Sequence, residues 1–180
     1  MGGPEIEALG AGDLDTALDA HARLLHACVH AGASVNFVMP FPLEEAAAFW
    51  RDGVLPPLRA GRRVLFAAGE AGQLLGAVQL ELAAQPNQAH RAEVTKLLVH
   101  PGARRRGIAT ALMHALENRA RAEGRSLITL DTRTGDAAEH LYAGLGYVRA
   151  GEIPGYCRHP VEDRLESTTL MYKPLGAAVP

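Results

Sequence analysis

The chain has 180 residues, 48% hydrophobic and 21% charged, with 18 Lys and Arg against 20 Asp and Glu for a formal net charge of −2. That length suits one folded unit, so residues 1–180 are expected to form a single domain, with a loose tail at 176–180. The slightly acidic balance argues against nucleic-acid binding, which needs many basic contacts to phosphate. Cys28 and Cys157 make neither a disulfide framework nor a metal-type pairing. No apolar run approaches the ~18 residues of a spanning helix. The start "MGGPEIEALG" lacks the basic and apolar regions of a secretory signal, so the expected location is the cytoplasm.

In chain order, Glu5–Leu9 reads as a short first strand. Asp13 offers a helix cap, and Leu14, Leu18, Leu25 and Val29 recur at helical spacing up to Gly32, a natural stop. After the loop "GASVNFVMPFP", the segment "LEEAAAFWRDGV" reads as a second helix, with Glu44 and Glu45 in its first turn. The period then changes. "RRVLFAAG" and "QLLGAVQLELAA" are the strands of a hairpin about "EAG". "QPNQAH" is a loop, and "AEVTKLLVH" is a third strand, ended by Pro101, which has no N–H for a ladder. A helix from about Arg105 to Glu123 places Ile108, Leu112, Leu116 and Ala120 on one face, and Gly124 closes it. "SLITLDT" is a strand, "DAAEHLYAGL" a short helix capped by Asp136, and "YVRAGE" another strand. "PGYCRHPVEDR" reads as a loop before the closing strand "STTLMYKPL". Helices, then a hairpin, then strand–helix–strand–helix–strand predict an α/β fold around a mixed sheet.

The densest chemical signal is "HPGARRRGIAT", where three arginines and a glycine precede the long helix. Free N–H groups at a helix start point outward, and the macrodipole adds roughly half a positive charge there. Arg104, Arg105 and Arg106 add fixed charge, Gly107 has no side chain to block a close ligand, and Ala109 is nearly as small. These features make an anion cradle suited to a diphosphate; a solvated basic turn is the plainer alternative. The segment lacks the Gly-Lys-Ser/Thr of a P-loop and the three glycines of the dinucleotide fingerprint.

The pattern R-x-x-G-x-A after "LLVHP", with "LYAGLGY" further on, resembles the GNAT acetyltransferase superfamily over residues 63–173. The resemblance implies the acyl-CoA N-acyltransferase fold, a mixed, mostly antiparallel central sheet of about seven strands flanked by helices. It also implies acetyl-CoA as co-substrate. In that superfamily the turn holds the pyrophosphate, here by Arg104, Arg105, Arg106, Gly107, Ile108, Ala109 and Thr110. The pantetheine arm slots between splayed strands, where the backbone amides of Leu98 and Val99 would meet the thioester carbonyl. "GASV", "QPN", "RAEV", "LDT" and "GEIPGYC" resemble, in addition, a toxin-resistance branch that acetylates an amino-acid-like β-lactam. One departure stands out: Gly135 occupies the position where many members carry an asparagine, seven residues before the catalytic tyrosine. Cofactor binding is then expected to lean more on the arginine turn.

Acetyl transfer needs a group to take the ammonium's proton and one to protonate the departing thiolate. Tyr142 occupies the family tyrosine in "AEHLY" and is the expected acid; a half-buried packing tyrosine is the alternative, and Tyr147 reads as core. Glu93 and Asp131 are both candidate bases. If their strands are parallel neighbours, the two carboxylates come from opposite strand ends, and one acts through water. Each has a structural alternative, Glu93 as an ion-pair partner and Asp131 as a turn former. His90 is a further base candidate. Ser34, Asn36 and Phe37, with Tyr156, are expected to line the acceptor side. His26 and His30 in "HACVH" lack the glutamate and third ligand of a zinc site, so no metal is expected. The expected reaction moves acetyl from acetyl-CoA to a primary amine of a small amino-acid-like metabolite or toxin, by direct attack in a ternary complex. A catalytically silent acyl-CoA sensor, or an enzyme acting on a protein or peptide amine, is the alternative. The expected partner is a small-molecule amine acceptor, with no nucleic acid and no membrane; a homodimer is left open.

Overall fold

Val64, Phe66 and Ala68 lie along one face of the strand β2 (Arg63–Glu70) and Leu65 along the other, and all four are buried. A strand buried on both faces belongs inside a sheet covered on two sides. The structure, a computed structural model that describes residues 4–176, places β2 in such a sheet. β2 pairs antiparallel with β1 (Glu5–Leu9) and with β3 (Gln73–Leu82). Ala71 and Gly72 form the two-residue turn between them, with φ of 50° and 77°, the double left-handed conformation that a tight hairpin requires. β4 (Arg91–Val99) is antiparallel to β3, and β5 (Leu127–Arg133) runs parallel to β4. β6 (Val148–Arg158) and β7 (Leu165–Pro174) complete seven strands in the order β1-β2-β3-β4-β5-β7-β6.

One face is covered by α1 (Ala11–Thr16), α2 (Leu18–His30), α3 (Leu43–Ala48) and α4 (Leu55–Arg59), around the fully buried Trp50. The other carries α5 (Ile108–Ala122) and α6 (Ala137–Gly144). Ile108, Leu112, Leu116 and Ala120 of α5 are all buried, as their spacing predicts. Each of the three large ones contributes about 1.5–3 kcal/mol by leaving water. Gly76 on β3 lets α5 come this close: a Cβ there would stand 2.9 Å from the Leu98 carbonyl and 3.0 Å from Ile108 Cγ2. Behind α5, Lys173 Nζ lies 2.7 Å from Glu117 Oε2, an ion pair on a glutamate that is only 3% exposed. Among the described residues no helix is long and apolar enough to cross a membrane.

Several boundaries differ from the sequence expectation. Asp13 is not the cap; it sits inside α1 and accepts the Gly10 N–H at 2.8 Å, and the helix breaks at Ala17 before α2. The second helix is interrupted by a wider π turn at Phe49–Val54. The long helix starts at Ile108 rather than near Arg105, because Arg105 and Gly107 are left-handed (φ of 64° and 78°). β6 runs on through Pro154 to Arg158, a stretch whose sequence reads as a loop. It is an edge strand, where a residue with no N–H is tolerated, and its register is irregular between Ile153 and Cys157. The tail expected to be loose lies, from residue 177 on, outside the described residues.

Candidate active site

At the end of β4 the chain makes a short turn at Pro101–Ala103, and the His100 ring accepts the Gly102 N–H at 3.2 Å. Arg104 is extended, and Gly107, left-handed with ψ 0°, delivers the chain into α5. The first helical bond runs from the Ala111 N–H to the Gly107 carbonyl at 3.0 Å, which leaves the N–H groups of Ile108, Ala109 and Thr110 without helical partners. All three border a cleft of about 460 Å³, together with Arg104, Arg105 and Gly107. Among the described residues, none beyond its chain neighbours lies within 4 Å of a Cβ built on Gly107, so the space above it is open cleft. Ile108 lines the floor while its side chain is held in the core. Arg106 departs from expectation. It turns away to Glu70 on β2, with Nη2 at 2.8 and 2.7 Å from the two carboxylate oxygens, and does not border the cleft.

The cleft continues between β4 and β5. Their parallel pairing covers only Arg91↔Leu127, Ala92↔Ile128 and Glu93↔Thr129; beyond it β4 stays with β3 while β5 stays with β7, and a gap opens. A bulge in β4 adjoins that gap. Gln79 pairs with Thr95 and Ala77 with Leu98, so Val78 alone faces both Lys96 and Leu97, and Lys96 takes a left-handed φ of 52°. Past the bulge the His100 N–H bonds the Leu75 carbonyl at 2.8 Å. Antiparallel alternation then turns the Leu98 amide to β3 and the Val99 amide toward the gap. The Val99 carbonyl agrees with this, since it accepts the Cys28 thiol of α2 at 3.4 Å. Burial pushes that thiol up to about 11, against the pull of Arg104 and of this hydrogen bond, so Cys28 stays a neutral packing group on the cleft wall.

A second cavity, of about 170 Å³, adjoins the first; Ala33, Leu97, Arg133, Asp136 and Ala138 line both. It brings together Ser34, Asn36, Asp131, Tyr142 and Tyr156, from four separate segments of the chain. Tyr142 is buried and packs edge-on against Tyr147 at 5.7 Å, which is buried core as expected. Burial first, then the charges of Asp131 and Asp136, holds the Tyr142 hydroxyl well above the ordinary tyrosine range. It is therefore a neutral proton donor. Asp131 Oδ2 and the Thr132 carbonyl share the Thr168 hydroxyl, each at 3.0 Å. Ser34 Oγ lies 3.8 Å from Cys157 Sγ.

Two candidates fall elsewhere. Glu93 lies at the paired end of β4, where Arg91 Nη1 reaches Glu93 Oε2 and Thr129 Oγ1, each at 3.0 Å. It lines a separate recess of about 260 Å³ with Arg63 and Glu81. Its strand partner is Thr129, two residues (roughly 7 Å of strand) before Asp131. Contrary to the expectation of opposite strand ends, Glu93 stands in the last residue pair of the parallel ladder and Asp131 two residues beyond it, yet the two carboxylates do not share a cavity. Phe37 does not line the acceptor cavity; it packs at a tilt on Phe41 at 4.6 Å and edge-on to Phe49 at 5.3 Å. His30 Nε2 donates to the Phe41 carbonyl at 3.0 Å, and its ring stacks on His26. A larger recess of about 510 Å³, by β1 and the β2–β3 turn, contains none of the candidate residues.

Sequence reasoning missed Lys96, Thr168 and Gly76. Lys96 carried a signal: strict alternation from Ala92 and Val94 would put its charge on the buried face, which a one-residue bulge avoids. Gly76 stands alone inside an apolar strand, a mark of close backbone approach. Thr168 carried no sequence signal.

A sheet parted between β4 and β5, with a helix starting on a left-handed glycine beside the parting, is the fold of the N-acetyltransferases. The chain belongs to the Acetyltransferase (GNAT) family, whose sequence model matches residues 29–147. It is 35% identical over 130 residues to an uncharacterized N-acetyltransferase from the hisH-hisA intergenic region of Azospirillum brasilense, covering 71% of this chain and 73% of that one. Among solved structures it resembles an N-acetyltransferase of Staphylococcus aureus Mu50 (TM-score 0.79, 19% identity, covering 97% of this chain and 100% of that chain). It equally resembles YncA of Salmonella typhimurium, solved with its cofactor acetyl-CoA (TM-score 0.79, 16% identity, covering 99% and 98%).

Proposed function

We propose that this chain moves an acetyl group from acetyl-CoA to the primary amine of a small amino-acid-like molecule, by direct attack with both substrates bound. The observation that carries this reading is the small cavity holding Asp131 and Tyr142, continuous with the cleft under the arginine turn. The cleft fits a CoA pyrophosphate: three free helix N–H groups, two arginines and open space above Gly107. Arg104, Arg105 and the amides of Ile108 to Thr110 would hold it, with the Leu98–Val99 segment of β4 beside the arm. Acetyl-CoA supplies the activated thioester. Asp131 takes a proton from the acceptor's ammonium, and the freed nitrogen forms the new C–N bond as the C–S bond breaks. Tyr142 gives its proton to the leaving sulfur, and the nitrogen, which after attack still carries one proton more than an amide, returns that second proton to the tyrosine directly or through water. Glu93, held by Arg91 outside the cavity, would act on the acceptor through water. The cavity is small, which supports a small acceptor over a peptide. Likeness of "GASV" and "GEIPGYC" to the tabtoxin-resistance acetyltransferase points the same way. Residues 1–180 are taken as one catalytic unit.

The test is release of free thiol from acetyl-CoA against a panel of small amines. Tyr142→Phe should lower turnover by roughly 10²-fold or more, with cofactor affinity nearly intact. Because its hydroxyl is held above the ordinary value of about 10, the tyrosine stays protonated as pH rises, and wild-type turnover should not fall below that pH through loss of this proton. Unchanged turnover in Tyr142→Phe removes it as the acid. Tight cofactor binding with no turnover of any amine would favour a sensor.

A further inference from the structure

We propose that Lys96 and Asp131 form a two-charge subsite for a zwitterion, so that the acceptor is an amino acid with a free carboxylate, its amine at Asp131 and its carboxylate at Lys96. The proposal deepens the acetyl-transfer reading and rests on it. Four charged side chains line the acceptor cavity: Lys96, Asp131, Arg133 and Asp136. Two of them are already satisfied, since Arg133 reaches Asp136 at 2.9 Å and Glu166 at 3.3 Å. Among the described residues, Asp131 has only a threonine hydroxyl on one of its oxygens. Among the described residues, no carboxylate lies within ion-pairing distance of the Lys96 ammonium. Its close neighbour is the Phe49 ring, with Nζ 5.6 Å from the centroid. A ring face attracts the cation but accepts no ordinary hydrogen bond, so the three N–H donors remain available.

That arrangement is unusual for a lysine. Burial, with the charge of Arg63 added, holds its ammonium below the ordinary lysine value, against the pull of Glu81 and Asp131. The cation is therefore under-compensated where it stands, and an arriving carboxylate would supply the missing charge. The backbone is specific too. The bulge gives Lys96 a left-handed φ of 52°, a conformation that costs a non-glycine residue stability and that tends to persist where a side chain must be aimed. The π turn that starts at Phe49 brings that ring to the ammonium. A cavity with one free positive and one free negative group complements a zwitterion better than a plain amine, for which the half-buried cation would be a repulsive neighbour.

Thiol release is measured with the common L-amino acids, each presented as the free acid and as its primary amide. The best acids should exceed their amides by about tenfold or more in kcat/KM, the worth of one charge-assisted hydrogen bond. In Lys96→Met that acid-to-amide ratio should collapse toward one, and Lys96→Arg should restore part of it. A lysine serving only the fold, or one taking the proton itself, would lower acids and amides alike and leave the ratio unmoved. Acids no better than amides in the wild type, or a ratio unchanged in Lys96→Met, overturns the subsite. Should Lys96→Met not fold by thermal melting, Lys96→Gln provides the same comparison. Calorimetric titration of the same acids and amides into the protein saturated with CoA separates the two claims. Acid-selective binding that Lys96→Met abolishes supports the subsite even where no acetyl is moved, and the acetyl-transfer reading then falls alone. No acid-selective binding and no acid-selective turnover overturns the subsite.

Discussion

Gly107→Val tests the anion cradle with an internal control. Gly107 has φ 78° and ψ 0°, and a Cβ built there meets nothing within 4 Å. The substitution therefore costs backbone strain and no clash, about 1–2 kcal/mol for a side chain forced into the left-handed region. For a chain of this size each kcal/mol lowers Tm by roughly 2–4 °C. Gly124, at the other end of α5, has φ 69° and equally open surroundings. It lies about 25 Å away along the helix at 1.5 Å per residue. Gly124→Val should then lower Tm by a similar amount and leave acetyl-CoA affinity unchanged. Gly107→Val adds three carbons in the space a phosphate would occupy. Losing even one charge-assisted bond from the free amides is worth about 1.5 kcal/mol or more, so Kd should rise at least roughly tenfold. Isothermal titration with acetyl-CoA and a thermal melt of both variants decide the matter. Wild-type affinity in Gly107→Val, or equal weakening in Gly124→Val, would refute the placement of the pyrophosphate.

The three arginines should separate in the same titration. Arg104→Ala should weaken acetyl-CoA clearly, while Arg106→Ala, which breaks a half-exposed pair with Glu70, should leave affinity close to wild type and stability within about 1 kcal/mol. Lys173→Met leaves Glu117, 3% exposed, without its closest counter-charge, with only Arg121 at 3.8 Å; a loss of about 3–5 kcal/mol is expected by urea unfolding, and a loss under 1 kcal/mol would show that the pair adds little.

The sequence was informative wherever one local rule acted alone. Spacing put Ile108, Leu112, Leu116 and Ala120 on the buried stripe of α5, and Asp136 caps α6 by accepting the Ala137 N–H at 2.6 Å. Where tertiary context decided, local residue types carried no such mark. Pro154 and Gly155 look like a loop, yet an edge strand absorbs them in an irregular register. No residue type marks the break at Ala17 or the widened turn at Phe49–Val54. Arg106 was indistinguishable from its neighbours in the string "RRR", and only the β2–β3 turn, by presenting Glu70, sets it apart.

The bulge in β4 shows how one such departure produces the site. Ala92 and Val94 belong to the core on the α5 side of the sheet, whereas Leu98 belongs to the core on the α2 side. An unbroken strand would put all three on one face, and Lys96 with them. The extra residue at Lys96–Leu97 moves Leu98 to the α2-side core and keeps a lysine out of the α5-side core. It also brings Lys96 to the acceptor cavity and turns the Val99 amide toward the gap between β4 and β5. A strand obeying strict alternation would pack as well on its own, but it would close its hydrogen bonds and present neither group. The local rule is broken where cofactor arm and acceptor would meet, as expected when a fold gives up regularity for function.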